Sequence, residues 1–397
     1  MIHGLDIVCC APDPWEGIWR NRQRIMSLLA DEGNRILFVE PRRYLRPTLA
    51  ALRRGQWGLR DLARPLVDPI RPGLWRFRYP LYAPISGRPP LSRWTAAWQV
   101  RALRRAMGQL GFQRPLLWLY RPEDRDLVGQ LDERLVIYHM VDEYSAYEEE
   151  YEARIPSGKR QAIRQREQAL LRQAQVVFAV SRPLWEAKRA ANPRTYLTPN
   201  GVDYDAFRAA VGGPAPAELA ALPRPILGYA GAINEKLDLP LLKRLAQAYP
   251  QGSLALVGPQ TLRYDRELLD DLRLPNVHFL GHKEAGALPA YVAAFDLCLM
   301  PYKCNEWTRH ISPLKLYEYL ACGKPVLSTD IPAAREFAHL LYLAADGAEF
   351  VALAARALAE DGPALAAQRQ AEAAEHTWRS RVEAMSVHIQ EALRLQA

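Results

Sequence analysis

The 397-residue sequence has no run approaching the roughly 20 uninterrupted apolar residues that a bilayer-crossing helix needs, so no segment is expected to span a membrane. Its start, MIHGLDIVCCAPDPW, lacks the basic region and long apolar core of a secretion signal and reads better as a first β-strand. The chain is therefore expected to stay in the cytoplasm. Five cysteines, Cys9, Cys10, Cys298, Cys304 and Cys322, form neither a C-x-x-C pair nor an even framework, which speaks against structural zinc and disulfides. Cys9, Cys298 and Cys322 have apolar neighbours and are read as reduced core residues. There is no P-loop and no G-x-G-x-x-G fingerprint, which disfavours a nucleotidase or a dehydrogenase. Lysine is missing from Arg42 to Met107, where fifteen arginines face only Asp61 and Asp68. That is a local charge of +13 in a chain whose total is +8.

What is present points to two domains, because 397 residues exceed one ordinary core and 49% hydrophobic with 24% charged residues is usual for globular proteins. Short apolar runs alternate with longer segments of helical periodicity, the signature of parallel βαβ units. The runs are DIVCCA, RILFVEP, LWRFRY, LLWLY, LVIYHM, VVFAV and TYLTP, then PILGYAG, SLALVGP, VHFLG, LCLMPY, PVLSTD and LLYLA. The fold class is α/β, with a doubly wound sheet in each half. Gly and Pro in VGGPAPAELAALPRP mark the boundary. The expected division is an N-terminal domain over 1–205, a linker over 206–224, a C-terminal domain over 225–378 and a final helix over 379–397 that packs back toward the N-terminal domain.

The basic segment has one informative helix candidate, Leu91 to Leu110. Ala96, Val100, Leu103, Met107 and Leu110 share one face, while Trp94, Trp98, Arg101 and Arg105 lie opposite. Indoles mixed with guanidinium groups suit a helix resting on anionic lipid head groups, or the tryptophans pack under a neighbouring loop. Nucleic-acid binding is the weaker reading of the charge, since no RRM, KH or helix-turn-helix pattern accompanies it. The expected partner of residues 42–107 is an anionic membrane surface at the inner face of the cell membrane.

The strongest local signal runs from His310 to Thr329. Ser312 is a good N-cap and Pro313 a favoured first helical residue, so a helix is expected to start there, after the strand LCLMPY, and to end near Gly323. In an open α/β sheet a helix N-terminus at that place binds anions. Ser312, Leu314 and Lys315 would then meet a diphosphate, and Glu318 a ribose. This stretch resembles the C-terminal-domain signature of the GT-B retaining glycosyltransferases of family four, which have an E-x7-E pair followed by G-K-P-V. Glu318 falls on the second glutamate, and Gly323-Lys324-Pro325-Val326 follows. Pro199-Asn200-Gly201-Val202-Asp203, Gly228-Tyr229-Ala230-Gly231, Val257-Gly258-Pro259 and Asn276 to Gly281 match in the same order. Trp15 to Gln23 and Tyr138 to Tyr144 look most like the subgroup of teichuronic-acid and exopolysaccharide-type transferases.

The resemblance implies a GT-B fold, two Rossmann-like domains facing a cleft, with a nucleotide-sugar donor, UDP- or GDP-linked, on the C-terminal side and a glycan or lipid-linked acceptor on the N-terminal side. His310 stands where the family has its first glutamate. The lost contact passes to His310 or to Thr308, Arg309 or Ser312, or the donor sugar differs. The loop Gly231 to Lys236 is implied to approach the donor phosphates, through Gly231, Asn234 and Lys236, although Asp238 is a rival partner for that lysine. Arg20, Asn21, Arg22 and Gln23 open the helix after the first strand and are expected on the acceptor side. His139 and Asp142 end another strand and are the catalytic candidates. No D-x-D flanked by apolar strand residues suggests a metal-held diphosphate, so no metal and no cofactor are expected. Rival readings are a GT-B sugar-nucleotide epimerase, which needs no acceptor, and a catalytically silent membrane-bound scaffold.

Overall fold

The computed structural model describes residues 1–55, 61, 64–86, 91–144, 157–264 and 266–396. Arg60 and Arg88 of the basic segment lie outside the described residues. The N-terminal domain is built on β1 (Asp6–Cys10), β2 (Arg35–Val39), β3 (Val67–Arg71), β4 (Leu74–Phe77), β5 (Leu116–Leu119), β6 (Leu135–Met140), β7 (Val176–Ala179) and β8 (Thr195–Leu197). Their order is β3-β4-β2-β1-β5-β6-β7-β8, and only the β3/β4 pair is antiparallel. The C-terminal domain has β9 (Ile226–Ala230), β10 (Ser253–Val257), β11 (Val277–Gly281), β12 (Leu297–Met300), β13 (Val326–Thr329) and β14 (Tyr342–Ala344), in the order β11-β10-β9-β12-β13-β14. Every residue of β5, β6, β7, β9, β10, β12 and β13 is buried. Helices cover both faces of such a sheet, which is why these strands read as continuous apolar runs.

The runs read from the sequence correspond to thirteen of these strands. The exception is β3, whose VDPIR is half-buried apart from the exposed Pro69, a residue that central strands exclude and edge strands admit. In each sheet the strand order reverses once, between β1 and β5 and between β9 and β12. The carboxyl ends at such reversals leave a crevice. The two crevices face each other, and residues after β1, β6, β9, β10 and β12 line one common cleft of about 400 Å³.

The chain passes between the domains twice, and the two passages are paired. The Val202 N–H donates to the His376 carbonyl at 2.9 Å, and the Trp378 N–H donates to the Val202 carbonyl at 3.2 Å. Gly201 is required here, since a Cβ would stand 2.9 Å from the backbone of Thr377 and Trp378. The final helix, Trp378–Arg394, buries Trp378, Val382, Met385, Ile389 and Ala392 in the N-terminal core beside Ile7, Met26 and Phe178. At about 1.5–3 kcal/mol for each large apolar side chain, that face binds the C-terminal helix firmly to the first domain. The expected 206–224 linker is not a free connection. It forms the short helices Tyr204–Ala209 and Ala217–Ala220, and Phe207 and Leu219 are buried in the C-terminal core.

The basic segment forms the helices Leu45–Arg53 and Leu91–Gln109. Gln99 Nε2 donates to the carbonyls of Arg43 and Ala83, and the Leu45 N–H donates to Ile85, so both helices are tied to the segment Tyr82–Ser86. Leu45, Leu49 and Leu52 recur at helical spacing and face outward, as do Leu91, Trp94 and Trp98. Several arginines of the segment are neutralised from outside it: Arg42 by Asp124 and Asp126, Arg71 by Asp31, and Arg76 by Glu16. Arg46, Arg53, Arg54, Arg93, Arg101 and Arg105 are exposed on the two helices. Among the described residues no helix is long and apolar enough to cross a membrane.

Candidate active site

The C-terminal wall of the cleft is organised by the helix Leu314–Ala321, whose amino end lies over the reversal between β9 and β12. The helix begins one residue later than expected, with Pro313 in extended geometry as its N-cap. Ser312 therefore caps nothing. Its Oγ accepts from the Asn200 N–H at 3.3 Å, and its carbonyl accepts from Asn200 Nδ2 at 2.7 Å, so the family-like P-N-G-V segment of one domain is fastened to the helix start of the other. The Leu316 N–H donates to the Pro313 carbonyl at 3.2 Å, and with no side chain capping the helix the N–H groups of Leu314 and Lys315 are left for an anion.

Lys315 is held beside this helix end. Its Nζ donates to the Tyr302 hydroxyl at 2.8 Å and stands 4.7 Å from the centroid of the Tyr229 ring. Burial opposes its charge, but the phenol oxygens of Tyr229 and Tyr302 and the Glu318 carboxylate outweigh burial and hold its pKa above the ordinary lysine value. Gly231 makes room for it: with φ at +149° the position suits glycine, and a Cβ there would lie 3.0 Å from Lys315 Nζ. Glu318 lines the cleft one turn further on, and burial pushes its carboxyl up against the opposing pull of Lys315 and Arg24.

The N-terminal wall comes from the loop after β1, the start of the helix Asn21–Asp31 and the end of β6. Asp142 reaches across the cleft, its Oδ2 3.1 Å from Lys236 Nζ and 3.4 Å from the indole nitrogen of Trp307. Asp238 is not the partner of Lys236. It caps the helix Leu239–Ala248 by accepting from the Leu241 N–H at 2.9 Å. Behind Asp142, the Lys188 ammonium joins the carboxylates of Glu143 at 2.7 Å and Glu167 at 2.6 Å. Glu167 also accepts from the Tyr138 hydroxyl at 3.0 Å and is a buried anchor.

Of the residues singled out from the sequence, Arg20, Arg22, Asp142, Gly231, Asn234, Lys236, Ser312, Leu314, Lys315 and Glu318 line this cleft. Three do not. His139 is 1% exposed, stacked on Tyr120 with ring centroids 5.0 Å apart and enclosed by Trp118 and Phe178. Burial, then the charge of Arg22, pushes its pKa down to about 3, and neither ring nitrogen has a partner among the described residues. Gln23 is fully buried, its Oε1 accepting from the Arg20 N–H and its Nε2 donating to the Pro14 carbonyl, which shapes the helix start. His310 is buried against the Glu306 carbonyl, 2.9 Å from Nδ1, while its own carbonyl accepts from Ser181 Oγ at 2.7 Å. Of the residues weighed for the altered family position, only Ser312 borders the cleft; Thr308 is buried in a capping box with Asn305.

Asn21, at the same helix start, also lines the cleft, whereas sequence reasoning missed Arg24, Tyr144, Tyr229 and Tyr302. The usable signal was position: Tyr302 and Tyr144 follow the carboxyl ends of β12 and β6, where α/β sheets gather their ligands.

Residues 224–361 match the model of the family glycosyl transferases group 1. The chain is 35% identical over 144 residues to TuaH of Bacillus subtilis (strain 168), named as a teichuronic acid biosynthesis glycosyltransferase. That similarity covers 36% of either protein, about a third of the relative's length. Among solved structures, sucrose-phosphate synthase from Thermosynechococcus elongatus superposes with a TM-score of 0.70 at 19% identity, over 98% of this chain and 100% of that one. HepE from Anabaena, solved with UDP-glucose, gives 0.64 at 15%, over 98% and 100%. The trehalose 6-phosphate synthase of Burkholderia multivorans gives 0.67 at 12%, over 99% and 100%. The chain has the GT-B fold, and the match to glycosyl transferases group 1 lies within its C-terminal domain.

Proposed function

We propose that this protein is a glycosyltransferase that moves a sugar from a nucleotide-sugar donor on the C-terminal wall of the cleft to a lipid-linked or polysaccharide acceptor on the N-terminal wall, in cell-surface glycan synthesis and with retention. The observation that carries the reading is the convergence of the uncapped amino end of Leu314–Ala321, Lys315 and Glu318 at one sheet reversal. The backbone N–H groups and Lys315 receive the diphosphate, Glu318 accepts from the ribose hydroxyls, and Lys236 adds positive charge at the leaving group. Such donors act where negative charge develops as the sugar departs, so the reaction is expected to proceed without a divalent metal. Asp142, opposite Lys236 at the end of β6, is the carboxylate assigned to the acceptor side. UDP is the favoured nucleotide, because the likeness extends to a protein solved with UDP-glucose.

The acceptor reading is joined to a membrane reading. Outward-facing Leu45, Leu49, Leu52, Trp94 and Trp98 stand among exposed arginines, the mixture that seats a protein on an anionic lipid surface without spanning it. We place this chain there, at the inner face of the cell membrane. The deciding experiment incubates the chain with UDP- and GDP-sugars, with and without a polyprenyl-linked acceptor, and follows released nucleotide with and without EDTA. Acceptor-dependent release that survives EDTA is expected. Conversion of the donor without acceptor favours an epimerase, and no turnover of any donor favours a scaffold.

A further inference from the structure

Behind the N-terminal wall of the cleft lies an ionic cluster that donor binding does not use. Lys188 ends the helix Arg182–Lys188, and its ammonium lies 2.7 Å from Glu143 and 2.6 Å from Glu167. The Tyr138 hydroxyl donates to the second Glu167 oxygen at 3.0 Å. The side chains of Lys188, Glu143 and Glu167 are only 10%, 9% and 4% exposed, so two carboxylates share one ammonium out of water. Such a cluster adds little stability, because desolvation offsets the attraction and apolar side chains of similar volume often serve as well. Stability alone therefore does not account for it.

What the cluster fixes is the turn that carries Asp142. Asp142 and Tyr144 line the cleft, while the Glu143 side chain between them is engaged behind it by Lys188. The Glu143 N–H donates to Asp142 Oδ1 at 3.1 Å, and the Tyr144 hydroxyl donates to the Tyr120 carbonyl at 3.0 Å. One Asp142 oxygen is thus held by the turn, and the other, Oδ2, is directed across the cleft to Lys236 at 3.1 Å and the Trp307 indole at 3.4 Å. We propose that Glu143, gripped by Lys188, is a positioning residue for Asp142. It keeps the Asp142 carboxylate aimed at Lys236 and so sets how strongly that lysine is withheld from an incoming diphosphate. This role rests on the donor reading, in which Lys236 meets the diphosphate.

The test is a double-mutant cycle read by calorimetric titration of UDP into the full chain, with thermal melts in parallel. Glu143→Leu removes the grip and fills its volume, and it leaves Lys188 and Glu167 as a one-to-one pair. It is expected to tighten UDP binding about two- to threefold, as Asp142→Asn does, and to change nothing in the Asp142→Asn background, where the carboxylate it positions is gone. Glu143→Gln, which keeps an oxygen for Lys188, is expected to match the wild type. Glu143→Ala, run the same way, replaces the leucine variant should that one fail to fold. UDP affinity unchanged or weakened in a folded Glu143 variant that lacks the grip, or shifted equally in both backgrounds, overturns the positioning role and leaves the donor reading standing. A wild-type chain that binds no UDP overturns the donor reading and the positioning role with it.

Discussion

Asp142 of the N-terminal domain and Lys236 of the C-terminal domain meet across the cleft at 3.1 Å, with the lysine ammonium 4.5 Å from the ring centroid of Trp307. A diphosphate arriving at Lys236 must compete with this carboxylate. Removing the competitor and removing the lysine are therefore expected to act in opposite directions: Asp142→Asn tightens UDP binding about threefold, and Lys236→Gln weakens it by about three- to tenfold. Calorimetry on the two variants checks this. Weaker binding in Asp142→Asn would show that the carboxylate does not oppose the donor.

The membrane reading depends on two outward rows of side chains rather than on net charge alone. Leu49→Ser with Leu52→Ser, and separately Trp94→Ala with Trp98→Ala, are expected to lower co-sedimentation with anionic vesicles about tenfold while leaving the thermal melt nearly unchanged, since these residues are at least two-fifths exposed. Raised salt should weaken the wild type as well. Equal pelleting with neutral and anionic vesicles would refute an electrostatic contribution.

The sequence disclosed most of the architecture because the determining feature, strands buried on both faces, is local and repetitive. It was least informative where orientation is set by tertiary packing. The spacing of Leu45, Leu49 and Leu52 is that of a core-facing stripe, yet Thr48 and Ala51 are the buried residues of that helix. His139 and Gln23 stand in site-like positions at a strand end and a helix start, and only the packing of Tyr120, Trp118 and Pro14 shows that their polar atoms turn away from the cleft. The tie between Asp142 and Lys236 joins positions 94 residues apart, which no local pattern reveals.

His139 also predicts the acid limb of stability. Its folded pKa of about 3 lies below the ordinary histidine value near 6.5, so between those limits the unfolded chain takes up a proton that the folded chain refuses. Its contribution is complete above about pH 6.5 and is lost as pH falls toward 3, by up to about 1.4 kcal/mol per pH unit. His139→Phe, which keeps a ring against Tyr120, is expected to flatten the fall in melting temperature between pH 6.5 and 4. An unchanged acid profile would contradict the assignment.

Gly231 links backbone geometry to donor binding. An alanine there must adopt a φ near +149° and push against the Lys315 ammonium, so Gly231→Ala is expected to cost about 1–3 kcal/mol of stability and to weaken UDP binding. Thermal melts and calorimetry read the two effects separately. A variant as stable as the wild type with full UDP affinity would mean that the loop is not held as described.

A nucleotide diphosphate on the C-terminal wall with its ribose at Glu318 is read out by titrating UDP into the wild type and Glu318→Gln, with melts run in parallel. A carboxylate-to-hydroxyl hydrogen bond contributes roughly 1.5–3 kcal/mol, whereas a helix-surface glutamate pair contributes about 0.2–0.5 kcal/mol, so the two roles are separable. One-site binding is expected for the wild type, with an affinity at least about tenfold lower in a folded Glu318→Gln. Undiminished affinity in the folded variant, or no binding to the wild type, would contradict it.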